Sequence, residues 1–333
     1  MDLSLSIIIP AFNGAAWLPQ TLRHLRLALA TAGWDDAEII VVDDGSTDDT
    51  VRSMGEDHGS PPVRIISQVN AGRFAARQTG LHAARGALVM FCDVRVFVHS
   101  QALQFVRGQL IEHPESVVWN GHAVTAPDSG LVSSFWDAIT FLAWRRYLRN
   151  PETTSYGVDD FEYYPKGTTL FLAPRLWLIE ACEQFDTRVG DLSKANDDTL
   201  LIRPLAMRSR INISPSFSCT YHPRTTLREF AQHSFHRGAV FVDGHLRPGS
   251  RYLIPYIACL VATPFGFVCA VRRPRLTSVT AIAASGGIGL AATAAGAPKR
   301  ASVALAALAP AFAATYGAGT LYGLWLRLKH RMR

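Results

Sequence analysis

The sequence predicts an α/β fold, a mostly parallel sheet with helices on both faces, followed by transmembrane helices at the C-terminal end. Three observations carry that expectation. Apolar strand-like runs alternate with helical periodicity through the first half of the chain. Polar motifs stand where two of those runs end, and after residue 250 the composition changes to long uncharged runs with basic borders.

Ile7-Ile8-Ile9 reads as a buried strand that ends in Pro10-Ala11-Phe12-Asn13. Leu18, Leu22, Leu25 and Leu29 then recur at helical spacing and give one apolar face. Glu38-Ile39-Ile40-Val41-Val42 is a second strand, so the three segments form a βαβ crossover, and this strand runs into Asp43-Asp44-Gly45-Ser46-Thr47-Asp48. Val63-Arg64-Ile65-Ile66 is a third strand, and Arg73 to Arg85 is a helix with Ala75, Ala76, Leu81 and Ala84 for packing. Ala87 to Cys92 is a buried strand, and Ala102, Leu103, Phe105, Val106 and Leu110 mark another helix. Residues 114–170 are less regular and rich in aromatics. In open α/β sheets ligands bind beyond the carboxyl ends of the strands, which makes the two polar motifs candidate contacts rather than core.

The charge is divided along the chain. Residues 1–204 hold 17 Lys and Arg against 25 Asp and Glu, and residues 205–333 hold 16 against 2. Because the basic part also carries the apolar runs, its charges suit membrane lipids and speak against a nucleic-acid partner. Cys92, Cys182, Cys219, Cys259 and Cys269 are odd in number and lack Cys-x-x-Cys spacing, so neither a disulfide framework nor a zinc site is expected. The first residues show no basic region followed by an apolar helix, so no secretory signal is expected.

Three apolar runs, 253–271, 278–297 and 301–326, carry no charge and approach or exceed the roughly 20 residues that cross a bilayer core. If all three crossed, Arg272, Arg273 and Arg275 would lie on the far side from the soluble domain, as would Arg327, Lys329, Arg331 and Arg333, against the positive-inside rule. Pro255 and Pro264 interrupt the first run. The expectation is therefore two spans forming a hairpin behind a non-spanning segment, in a multi-pass protein of the plasma (inner) membrane with its soluble domain in the cytoplasm.

The ordered set of motifs resembles the glycosyltransferases of family 2, inverting enzymes of GT-A fold. The residues that carry the resemblance are Pro10-Ala11-Phe12-Asn13, Asp43-Asp44-Gly45-Ser46, Asn70-Ala71-Gly72-Arg73 with Ala76-Arg77 and Gly80, Ala84-Arg85-Gly86, and Val89-Met90-Phe91-Cys92-Asp93. It covers roughly residues 4–240 and is similar to bacterial exopolysaccharide and cell-surface glycan enzymes. It implies a nucleotide-sugar donor and a lipid-linked or membrane-proximal glycan acceptor. It also implies a nucleotide site from Pro10, Phe12, Asn13, Asp43, Asp44, Arg73 and Arg77.

Asp93-Val94-Arg95 departs from the family's Asp-x-Asp, whose carboxylates hold Mg²⁺ or Mn²⁺ on the donor diphosphate. Either Asp93 still holds the ion, or Arg95 partly replaces it by neutralising diphosphate directly. Asn196-Asp197-Asp198-Thr199-Leu200-Leu201-Ile202-Arg203 resembles the segment that supplies the general base. Leu201 favours Asp198 as the base, whereas the six-residue offset of Arg203 favours Asp197. His222, Arg224 and Arg95 are candidates for diphosphate or acceptor contacts. The implied organisation is a catalytic GT-A domain over 1–220, an amphipathic interfacial segment over 221–250 and a membrane region over 251–333. Two other readings stay open: a non-catalytic scaffold, motivated by Arg95, and a sugar nucleotidyltransferase, whose glycine-rich activating loop is absent from the sequence.

Overall fold

The computed structural model describes residues 2–55, 59–127, 129–185, 197–245, 253–254, 257–258, 268–269 and 271–331. The chain divides into two compact units.

The first unit holds a nine-stranded sheet. Its parallel part is β1 (Leu5–Ala11), β2 (Ala37–Asp43), β3 (Val63–Ser67) and β4 (Leu88–Cys92), in the order β3-β2-β1-β4. Every residue of β1 and of β4 is buried. Strands covered on both faces read as continuous apolar runs, which is why both were visible in the sequence. Helix α1 (Leu18–Ala32) joins β1 to β2 and buries Leu18, Leu22, Leu25 and Leu29, the face the leucine spacing predicts. Helix α2 (Arg73–Ala83) precedes β4 and stops two residues before the expected Arg85.

The sheet continues with β5 (Val96–Val98), β6 (Trp119–Thr125), β7 (Thr154–Tyr156), β8 (Leu170–Pro174) and β9 (Ile211–Tyr221). Here β8 is antiparallel to β4 and to β6, β6 is parallel to β9, and β5 and β7 pair antiparallel with β9. Helix α3 (Ala102–Glu112) lies between β5 and β6 in sequence and buries Ala102, Leu103, Val106 and Leu110. The antiparallel pairing of β8 with β4 sets the N-terminal end of β8 beside the C-terminal end of β4, Leu170 opposite Cys92. That register is what brings the residues just before β8 to the carboxyl-terminal edge of the parallel strands.

Helix α4 (Gly130–Ala143) belongs to the second unit, although it interrupts the first in sequence. The single turn α5 (Arg145–Leu148) follows it, and α6 (Arg175–Glu183) and α7 (Asp197–Arg208) complete the first unit.

The rest of the second unit comprises α8 (Leu227–His245), α9 (Pro274–Ala294) and α10 (Lys299–Arg331). Helices α9 and α10 are long and apolar enough to cross a membrane. At 1.5 Å per residue, the 21 residues of α9 extend about 31 Å, close to a bilayer's hydrocarbon thickness. Its Leu276, Val279, Ile282, Ile288 and Leu290 are exposed. The run at 253–271 lies largely outside the described residues. Helix α8 packs along α10 through glycines on both: a Cβ on Gly238 would fall 2.1 Å from the Tyr316 carbonyl oxygen, and one on Gly319 would fall 1.9 Å from that of Phe235. Backbones that approach so closely tolerate only glycine at the crossing.

In the first unit Gly80 on α2 faces β1, where an added Cβ would lie 2.4 Å from Ile8 Cγ2. Gly80→Val is expected to push α2 off the sheet and to destabilise the protein by about 1–3 kcal/mol, measured by chemical denaturation of the detergent-solubilised chain.

Candidate active site

Asn13, at the end of β1, has the left-handed φ of 53° that asparagine tolerates better than most residues. Its Oδ1 accepts from the Thr47 amide at 2.8 Å and the Thr47 hydroxyl at 3.2 Å, and its own amide donates to Ser46 Oγ at 3.0 Å. The two N-terminal motifs are thus tied to each other. Phe12, beside them, is half exposed. Asp43 Oδ1 accepts from the Ser46 amide at 3.1 Å and shapes the turn. Gly45 takes a φ of 71°, and a Cβ there would meet the Asn70 amide nitrogen at 2.8 Å, so the turn needs glycine for both conformation and clearance.

Asp44 is buried, and its carboxylate accepts from Gln68 Nε2 at 2.7 Å and from the amides of Ala71 and Gly72 at 2.9 Å each. Three of the roughly four acceptor positions of a carboxylate are therefore taken inside the protein. These bonds fix the loop that starts α2. The sequence motif is compatible with both a ligand contact and a turn-forming role for Asp44, and these bonds show the structural role.

Helix α2 delivers Arg73 and Arg77. Arg73 is exposed at the first turn, whereas Arg77 is 1% exposed and its Nη2 meets Asp93 Oδ1 at 2.7 Å. Asp93 stands just past β4 with its side chain 19% exposed. Asp198, at the start of α7, accepts with Oδ1 from the amide of Thr168 at 2.9 Å and from its hydroxyl at 2.5 Å. Burial pushes the Asp198 carboxyl up, but the positive charges of Arg73 and Arg77 and the Thr168 hydrogen bonds outweigh it and hold the group below its ordinary value. Arg73, Arg77, Asp93 and Asp198 therefore act as one electrostatic unit, with Thr168 as its neutral donor. Thr168 carries no sequence signal, since threonine beside a strand is ordinary.

The side chain of Asp197 lies outside the described residues. Arg203, which favoured Asp197 by its spacing, binds Glu162 Oε1 at 2.6 Å and lies 4.8 Å over the Phe161 ring. Arg95 sits 5.0 Å over the Trp17 ring, and the His222 ring packs on Trp17 and Phe97 at 5.1 and 4.2 Å. Burial, with the neighbouring charges of His24 and Arg95, pushes His222 below the ordinary imidazole value. Arg224 is exposed and falls in the second unit.

Residues 6–156 match the family model described as glycosyl transferase family 2. This segment is a glycosyl transferase family 2 domain. The glycosyltransferase YibD of Escherichia coli (strain K12) is 38% identical over 92 residues, covering 27% of this chain and 25% of that protein. An undecaprenyl-phosphate 4-deoxy-4-formamido-L-arabinose transferase of Klebsiella pneumoniae subsp. pneumoniae is 35% identical over 91 residues, covering 26% and 28%. The chain therefore aligns with about a quarter of the length of these relatives. Among solved structures, the mannosyltransferase PcManGT of Pyrobaculum calidifontis, in complex with GDP-Man and Mn²⁺, superposes with a TM-score of 0.56 at 20% identity, covering 97% of this chain and 87% of that one. The family 2 domain has the GT-A fold that the motifs predicted.

Among the described residues no group of three or more His, Cys, Asp or Glu gathers to hold a metal. Asp93 has one oxygen committed to Arg77, which leaves its second carboxylate oxygen for an ion. That donor set fits Mg²⁺ or Mn²⁺ arriving with a diphosphate, because such ions are often held by one or two carboxylates with phosphates and water completing the shell.

Arg77→Met is expected to leave Asp93 without its counter-charge and to cost about 3 kcal/mol. That is the lower end for a broken buried pair, because Asp93 is partly solvated. Arg77→Lys is expected to recover part of it in the same denaturation measurement.

Proposed function

We propose that this protein is a membrane-anchored inverting glycosyltransferase that moves a sugar from a nucleotide donor to a lipid-linked or membrane-proximal glycan acceptor. The observation that carries the reading is Asp198, kept ionised by Arg73, Arg77 and Thr168 at the carboxyl edge of the sheet. In the proposed reaction its carboxylate takes the proton of the acceptor hydroxyl, whose oxygen attacks the anomeric carbon from the face opposite the leaving group. The anomeric C–O bond breaks and the nucleoside diphosphate departs with the electron pair, which inverts the configuration. Phe12, Asn13, Asp43 and Asp44 line the nucleotide end, and Arg73 and Arg77 add positive potential toward the diphosphate. A divalent ion on Asp93 would supply further charge neutralisation at the leaving group when bound.

The acceptor reading draws on the second unit. Helices α9 and α10 pack as an antiparallel hairpin, with Gly289 against Ser302 and Ala306 on either side of the connection. This sets Arg272, Arg273 and Arg275 at the same end as Arg327, Lys329 and Arg331, with Lys299 and Arg300 at the other. Positive charge concentrated at one end supports a cytoplasmic position for that end. The relative named for undecaprenyl phosphate supports a lipid acceptor.

Nucleoside diphosphate release by the detergent-solubilised chain, assayed across a panel of nucleotide sugars with polyprenyl-phosphate and glycan acceptors, tests the reading. One donor is expected to turn over, and Asp198→Asn to lower kcat by at least about 100-fold. Nucleotide binding without turnover of any donor would replace this reading with that of a scaffold.

The pH profile gives a second check. Because the Asp198 carboxyl is held low, it stays in its basic form until the pH falls through that lowered value. The acid limb of kcat/KM is therefore expected below the ordinary carboxylate pKa of about 4, with stability limiting the accessible range. Thr168→Val removes a hydrogen bond to the ionised form and is expected to move the limb upward.

A further inference from the structure

We infer that Arg95, steadied by Trp17, is a diphosphate-binding cation built into the protein, so that the nucleotide site keeps affinity for a diphosphate without any metal ion. The inference deepens the proposed function and rests on that reading of the donor site.

The backbone around Arg95 is fixed from three directions. Asp93 and Val96 close a turn through the Val96 amide on the Asp93 carbonyl at 3.1 Å. The Arg95 carbonyl accepts from the His222 amide at 3.0 Å, and β5 leaves immediately into its pairing with β9, Val96 opposite Tyr221. Between them, Val94 is clamped to the start of α1: its carbonyl accepts from the buried Thr21 hydroxyl at 2.7 Å, and its side chain packs on Gly14, where a Cβ would come within 2.8 Å. The guanidinium thus rises from an anchored point, two residues after Asp93.

Its direction is set by the Trp17 ring 5.0 Å away, which the His222 ring in turn supports. Trp17 itself stands at the N-terminal end of α1, four residues after Asn13, so the aromatic support for Arg95 comes from the segment that directly follows the nucleotide motif. A carboxylate with a bound divalent ion presents one net positive charge; a guanidinium presents the same charge permanently and in a planar fork that matches phosphate oxygens. Arg95 is the diphosphate contact in this assignment, and Trp17 is a positioning residue that acts through it.

The test is calorimetric binding of UDP and GDP, each also with its free inorganic pyrophosphate counterpart, to the full chain in detergent, in EDTA and then in Mn²⁺. For the wild type, the nucleotide that binds is expected to have a Kd in EDTA within about 10-fold of its value in Mn²⁺. Arg95→Gln is expected to lose binding in EDTA by at least 10-fold while retaining it in Mn²⁺, and Arg95→Asp to bind only when Mn²⁺ is present. Trp17→Leu is expected to weaken binding in EDTA, with Trp17→Phe restoring most of it, a rescue that a change in folding alone would not follow. Wild-type binding that disappears in EDTA, or an Arg95→Gln protein unchanged in EDTA, overturns the inference and leaves the transferase reading standing. Absence of nucleotide binding in both conditions overturns the donor site itself and the inference with it.

Discussion

The guanidinium of Arg77 is held almost wholly out of water, and the arrangement of the active site follows from what compensates that burial. Removing a cation from water costs several kcal/mol even after relaxation, so a native protein keeps one only beside well-placed negative charge. Asp93 supplies it directly at 2.7 Å, and the Asp198 carboxylate feels the same positive field. The Arg77 charge, with that of Arg73, in turn helps to keep Asp198 ionised in a setting whose burial pushes it toward the neutral form. The buried cation on α2 therefore links an ion pair at the end of β4 to the ionised carboxylate at the start of α7, which Thr168, just before β8, also holds by hydrogen bonds.

That field has a mechanical foundation in Asp44. Its carboxylate holds the Ala71 and Gly72 amides at the N-terminal end of α2, where unpaired N–H groups and the helix dipole favour negative charge. The position of Arg73 and Arg77 thus depends on a residue whose motif suggested a ligand contact. The motif and its structural duty are compatible, because a carboxylate that already accepts three hydrogen bonds is rigid and presents its remaining acceptor position in a fixed direction.

Much of this was legible in the sequence where a single physical signal dominated. The apolar runs of β1 and β4 are continuous because both faces are covered, and the leucines of α1 fall on the helix period. The loop motifs stood out because turns demand particular residues, as Gly45 shows. Less was legible where the outcome depends on distant pairing. Nothing local announces that β8 runs antiparallel to β4, and that pairing is what carries Thr168 to Asp198. The Arg77–Asp93 pair joins residues 16 apart on a helix and a strand end, where either could have been a surface charge. Helix α4 lies within residues 114–170, which read only as irregular and aromatic-rich, and its grouping with the C-terminal helices depends on contacts that neighbouring residues do not encode. In that second unit the glycines of α8 and α10 look like weak helix formers until the close approach of the two backbones gives each a reason.

Asp198 is an ionised carboxylate at neutral pH, held so by the arginines of α2 and by Thr168. Infrared difference spectroscopy on the chain labelled with ¹³C-carboxyl aspartate, titrated with acid and compared with Asp198→Asn, observes that proton directly. The protonated Asp198 band is expected to be absent at pH 5 and to grow only below the ordinary carboxylate range. A band that grows between pH 5 and 7 would contradict it.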